Sequence, residues 1–279
     1  METTALLIAT APVKVFYPIM LIAAIAALAA TVIGFKKLVW FMSIGYGFGV
    51  LAIGAVLLVY SLFFAHGTII ADIMAIILIV YGFRLGWYLF VRETKNKNYK
   101  AVLDSQSGTS KAPFFVSVVM WFYCVAMYIC QVSPLIYRLE NVDYVDVVSI
   151  IGMLIMIVGV VGEALSDKQK SAAKAENPHR FCDRGLFKIV RCPNYFCEIL
   201  VWTGLLISGI GHVQGKQWIV CIIGYVLIFF VMVSGAKRLE KRQEKNYGAD
   251  PEYVKYSDTT PILFPLIPLY HLIKVEREK

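Results

Sequence analysis

The chain has 279 residues, 59% of them hydrophobic and only 16% charged, with a formal net charge of +8. Soluble domains average roughly 25% charged residues, so the composition excludes an ordinary water-soluble fold. The positive charge does not mark a nucleic-acid partner: 23 of the 27 Lys and Arg fall in one set of alternating loops, the pattern that sets orientation in a membrane.

A run of about 20 apolar residues crosses a hydrocarbon layer about 30 Å thick. Seven such runs are read, near 15–35, 43–65, 68–92, 112–138, 144–166, 195–213 and 217–235. They predict an all-α, multi-pass membrane bundle of seven transmembrane helices, with residues 1–279 forming a single integral membrane domain. The opposite set of loops holds only Lys14, Arg138 and Lys216, and Arg84 lies inside a span. The N-terminus is therefore expected outside and the C-terminus in the cytosol. No basic region precedes the first apolar run, so no cleaved signal peptide is expected. The six cysteines sit in spans or on the cytosolic side and suggest no disulfide framework. His179, Cys182, Cys192 and Cys197 lack a paired C-x-x-C spacing, and no metal site is assigned to them.

The first two spans carry no ionisable acid or base in their interiors, and Gly45, Gly47, Gly49 and Gly54 suit close helix packing. The third contains Tyr81, Arg84 and Tyr88, whose spacing puts them on one helical face. An Arg inside a span costs about 2.5–3.5 kcal/mol on insertion scales, so Arg84 needs a partner or a cavity. Snorkelling to the headgroups is the plain alternative. Asp72 falls roughly opposite and is not paired with this face. Residues 93–111 form a polar connector. The fourth span holds Gln131 within its apolar run, and Pro134 is expected to bend its helix.

The fifth span closes with Glu163 and Asp167, four apart, and the sixth opens with Asn194 and Glu198, also four apart. Two helices thus present paired polar groups at one depth. Between them lie Lys168, Lys170, Lys174, Arg180, Arg184, Lys188 and Arg191, and such cations suit a phosphorylated cofactor. The seventh span runs into a basic tail expected to lie along the cytosolic surface. The closing PILFPLIPLY, broken by prolines, is expected to pack at the interface and not to span.

The segments SDKQK and DRGLFKIVRCPNYFCEILVWTG resemble the C-terminal signature of the steroid 5-alpha-reductase-like membrane family, including its bacterial branch of uncharacterised members. That resemblance implies seven helices and NADPH held by the cytosolic half of the protein, about 160–260. By motif it implies cofactor contacts at Glu163, Asp167, Lys174, Arg180, Asn194, Glu198 and Tyr247. It also implies Tyr81 as the group that polarises a substrate carbonyl, with Arg84 beside it. Tyr88 and Gln131 are the candidate substrate contacts. The implied reaction reduces a carbon–carbon double bond conjugated to a carbonyl, in a steroid-like or other lipid substrate that enters from the bilayer. Two departures stand out: Glu163 replaces a common Asn, and the second span lacks the acid that partners the Tyr in the steroid reductases. No obligate protein partner is expected beyond membrane lipid. NPHRF with RCPNY also resembles the isoprenylcysteine and phospholipid methyltransferases, which would use S-adenosylmethionine. A third reading is a non-enzymatic bundle that binds lipid or another membrane protein.

Overall fold

The computed structural model describes residues 13–65, 67–95 and 113–275. Among these are eight α-helices and no strand. They are α1 (Pro18–Thr31), α2 (Ile44–Tyr60), α3 (Ile69–Lys95), α4 (Phe114–Asn141), α5 (Val147–Glu176), α6 (Pro193–Ile207), α7 (Gln217–Tyr247) and α8 (Pro251–Thr259). Proline opens α1, α6 and α8, where its missing N–H would have had no helical partner. Asp250 caps α8 by accepting from the Glu252 amide at 2.9 Å.

Among the described residues, six helical segments are long and apolar enough to cross a membrane: Pro18–Lys36, Leu38–Ala65, Ile69–Thr94, Phe114–Asn141, Val147–Glu176 and Gln217–Tyr247. The chain is an integral multi-pass membrane protein. The span expected at 195–213 is shorter than read. Helix α6 has 15 residues, about 22 Å at 1.5 Å per residue, against about 30 Å of hydrocarbon. It stops before Gly209, and Gly211 and Gly215 beyond it take φ values of 87° and 43°, which a helix cannot use. The other ends also shift. Helix α3 carries on to Lys95, so the start of the expected connector is helical, while 96–112 lie outside the described residues. Helix α7 continues unbroken for 31 residues, about 46 Å, so its basic end continues the helix of the span.

The chain divides into two compact units, residues 1–150 with 205–224, and 151–204 with 225–279. In the first unit, glycine lets α2 and α3 meet backbone to backbone. A Cβ added at Gly47 would lie 2.4 Å from the Gly86 nitrogen, and one at Gly82 would lie 2.5 Å from the Leu51 nitrogen. One end of the unit is tied by a polar network. Arg138 is fully buried and donates to Asp146 at 2.9 Å and to the Tyr144 carbonyl at 2.9 Å. His212 Nε2 meets the same carboxylate at 2.7 Å. Arg138 is thus the interior end of α4 and not a loop cation. Asn141 donates to the His212 carbonyl and to Gln217 Oε1, both at 2.9 Å.

The second unit has its own buried ion pair. Arg191 and Glu240, 1% and 0% exposed, meet at 2.7 Å. Glu240 also accepts from the Leu272 amide at 2.8 Å and contacts His271 Nδ1 at 2.9 Å. Backbone bonds from Arg191 and Cys192 to Pro261 and Ile262, each 2.9 Å, hold the proline-rich end against this pair. That segment packs and does not span, as its prolines predict.

Candidate functional site

In the second unit the polar pairs of α5 and α6 are set by three glycines. A Cβ at Gly159 would come within 2.7 Å of the Cys197 carbonyl, and one at Gly162 within 2.6 Å of Cys197 Sγ. A Cβ at Gly204 would lie 2.4 Å from the Gly152 carbonyl. With so little between the helices, Glu163 and Glu198, each next in sequence to a contact residue, come to the same level, and both are buried. Asp167 follows Glu163 by about one turn on α5. Asn194, one turn before Glu198, is half-buried, and its side-chain oxygen is sealed from solvent with no hydrogen-bond partner among the described residues. The structure therefore brings Glu163, Asp167, Asn194 and Glu198 to one region of α5 and α6.

The neighbouring cations are less available than their number suggests. Lys174 Nζ donates to Tyr247 Oη at 2.7 Å and to the carbonyls of Arg180 and Pro178 at 2.5 and 3.0 Å. This joins two expected cofactor residues, Lys174 and Tyr247, directly to each other. Arg180 pairs with Asp183 at 2.8 Å and with Glu252. Arg184 pairs with Glu176 at 2.5 Å, and Arg191 is committed to Glu240. Burial pushes the Cys182 thiol up and the Cys192 thiol up to about 12, so both stay protonated and serve as small apolar fillers.

The first unit holds the other expected group. Tyr81 is fully buried on α3, and its hydroxyl lies 3.3 Å from that of Tyr46 on α2. Tyr46 packs its ring 5.3 Å from that of Tyr128, whose hydroxyl donates to the Phe41 carbonyl at 2.5 Å. Arg84 and Tyr88 share the face with Tyr81 but are only half-buried, and Arg92 stacks over Tyr88 at 5.5 Å. Gln131 on α4 is 4% exposed, and neither end of its amide has a partner among the described residues.

A family model described as "Protein of unknown function (DUF1295)" matches residues 28–260. The chain belongs to that family. No curated protein and no solved structure matches it.

In this DUF1295 member two groups escaped the sequence reading. Tyr46 was passed over because its span carries no charge, yet it adjoins Gly47, the closest point of approach to α3. Glu93, 2% exposed, accepts from Ser43 at 3.3 Å and lies 3.5 Å from Arg92. Its signal was present in the spacing Gly82, Gly86, Leu89, Glu93, a stripe of threes and fours that faces α2. Reading the residues after 92 as a connector hid it.

Proposed function

We propose that this chain is a membrane-embedded, NADPH-dependent reductase of a lipophilic enone, a member of a steroid 5-alpha-reductase-like group. The observation that carries the reading is the Asn194 oxygen, buried and without a partner among the described residues, beside buried Glu163 and Glu198. An amide oxygen and carboxylates are acceptors, and they match the ribose hydroxyls and carboxamide N–H of a nicotinamide dinucleotide. Lys174, Arg180 and Tyr247 would hold its phosphates. Arg180 is 37% exposed and Glu252 68%, so their pairing contributes only about 0.2–1 kcal/mol and yields readily to a phosphate. Arg191 is excluded from this role by its buried partner.

NADPH, when bound, would supply hydride to the carbon β to the substrate carbonyl and leave as NADP+, and the enolate so formed would take its proton at the α carbon from water. Tyr81 donates a hydrogen bond to the carbonyl oxygen as negative charge builds there, an effect of about 3–4 kcal/mol in comparable oxyanion sites. Tyr46 orients the Tyr81 hydroxyl, standing in the second helix where the steroid reductases have an acid. In this reading α6 is the seventh, short crossing, with the N-terminus outside and α5, α6 and α7 presenting the cofactor groups to the cytosol.

A second reading is favoured by one observation. The groups buried on α5 and α6 are acids, and the nearby arginines are already neutralised by protein carboxylates. S-adenosylmethionine is a cation with ribose hydroxyls and suits acids better than phosphate does. Native mass spectrometry of the detergent-solubilised chain with NADPH or S-adenosylhomocysteine separates the two. Retention of NADPH, weakened about tenfold by Asn194→Ala, supports the reductase, and retention of S-adenosylhomocysteine alone overturns it.

A further inference from the structure

Gln131 is the one expected substrate contact whose surroundings pose a physical problem. Burying a primary amide without partners is costly, and buried side-chain polar groups in folded proteins are nearly always bonded. Both Nε2 and Oε1 of Gln131 lack a partner among the described residues, at 4% exposure. The site would accept an apolar side chain, since Val132, Leu135 and Ile136 fill the same stretch of α4 with no exposure at all. Retaining an amide there sacrifices stability.

The backbone at this point is tightly held. A Cβ at Gly224 would come within 2.5 Å of the Gln131 nitrogen and 2.4 Å of the Cys130 carbonyl oxygen, so α4 meets the start of α7 at Gln131. One turn earlier on the same helix is Tyr128, in ring contact with Tyr46, which in turn meets Tyr81. The amide and the hydroxyl chain therefore belong to one interior. Neither helix meeting at Gln131 carries Asp, Glu, Lys or Arg for more than a turn on either side. An ionic ligand would find no counter-charge from them, and burying its charge would cost far more than burying a ketone.

We infer that Gln131 is kept for a ligand: the interior of the first unit binds one uncharged oxygen function, a ketone or alcohol, of an otherwise lipophilic molecule. The amide N–H2 donates to a ketone oxygen, and the amide oxygen accepts from an alcohol. Binding restores the hydrogen bonds that folding left unmade. The inference depends on the reductase reading only for calling that molecule the substrate.

The test is thermal unfolding of the detergent-solubilised full chain, wild type and Gln131→Leu, alone and with three probes of one shape: cholestenone, cholestane and cholesteryl sulfate. Without probe, Gln131→Leu unfolds several degrees above wild type, because the uncompensated amide is gone. Cholestenone raises the wild-type midpoint, cholestane and cholesteryl sulfate do not, and Gln131→Leu loses the response. A lower midpoint for Gln131→Leu overturns the inference, since the amide would then have a structural partner. So does a cholestenone response that survives the substitution, or one matched by either other probe, or none in wild type. Should the Leu variant fail to fold, Gln131→Met is read by the same criteria. NADPH retention on the same preparations separates the two ideas: a cholestenone response without NADPH binding keeps this site and removes the reductase.

Discussion

At the scale of single residues, the two most buried arginines among the described residues, Arg138 and Arg191, are held in ion pairs. Removing one partner of a buried ion pair strands the other charge, at a cost of about 3–5 kcal/mol, whereas replacing both with apolar groups is often neutral or better. Arg191→Met or Glu240→Gln should therefore destabilise strongly, and the double change Arg191→Met, Glu240→Leu should recover most of the loss in thermal unfolding. A double variant as weak as the singles would show that the loop bonds made by Glu240 outweigh the pair. Asp146 is the residue for pH. Burial alone would raise its carboxyl, but the Ser149 amide, Arg138 and His212 outweigh that and hold it well below the usual carboxylate range. A depressed folded pKa gives stability that is present above the unfolded value, about 3.9, and lost as pH falls toward the folded one. The gap in midpoint between wild type and Asp146→Asn should be full near pH 6 and shrink below about pH 4. A gap that stays constant down to pH 3 would remove Asp146 from the balance.

At the scale of elements, glycine faces decide which helices touch. In a membrane there is little hydrophobic drive between helices, so close backbone approach and dispersion carry the contact. Overpacking usually costs about 1–3 kcal/mol, and at Gly82 and Gly162 the obstacles are the Leu51 backbone and the buried Cys197 side chain. Gly82→Leu should open α2 from α3 and lower the unfolding midpoint at least as much as a core truncation. Gly162→Leu should separate α5 from α6 and abolish dinucleotide retention with little change in cholestenone response. Gly211 is the control. Nothing lies within 4 Å of its added Cβ, but its φ is 87°, so Gly211→Ala should cost about 1–2 kcal/mol of backbone strain and no packing. The glycine runs were visible in the sequence as packing signals. Which glycine faced which neighbour was not, because a helix presents every side and only its partner selects one.

For the whole molecule, the charge asymmetry of the loops makes a topological prediction that the helices alone leave open. Asp143 and Arg184 are exposed at positions expected on opposite sides. The six native cysteines are buried or nearly so, and an impermeant maleimide should report on added cysteines alone. Asp143→Cys should label in intact cells, and Arg184→Cys only after permeabilisation. The reverse pattern would overturn the proposed orientation and, with it, a cytosolic cofactor site. The membrane class, the spans of α1 to α5 and α7, and the polar pairs of α5 and α6 followed from composition and spacing, because apolar length and helical period are local properties. The tertiary structure decided what those properties leave free: that α6 is too short to match its neighbours, that four of the loop cations already have protein partners, and that Tyr81 finds Tyr46. Each of these depends on which surfaces meet across long stretches of chain, and a helix carries no record of its partner in its own period.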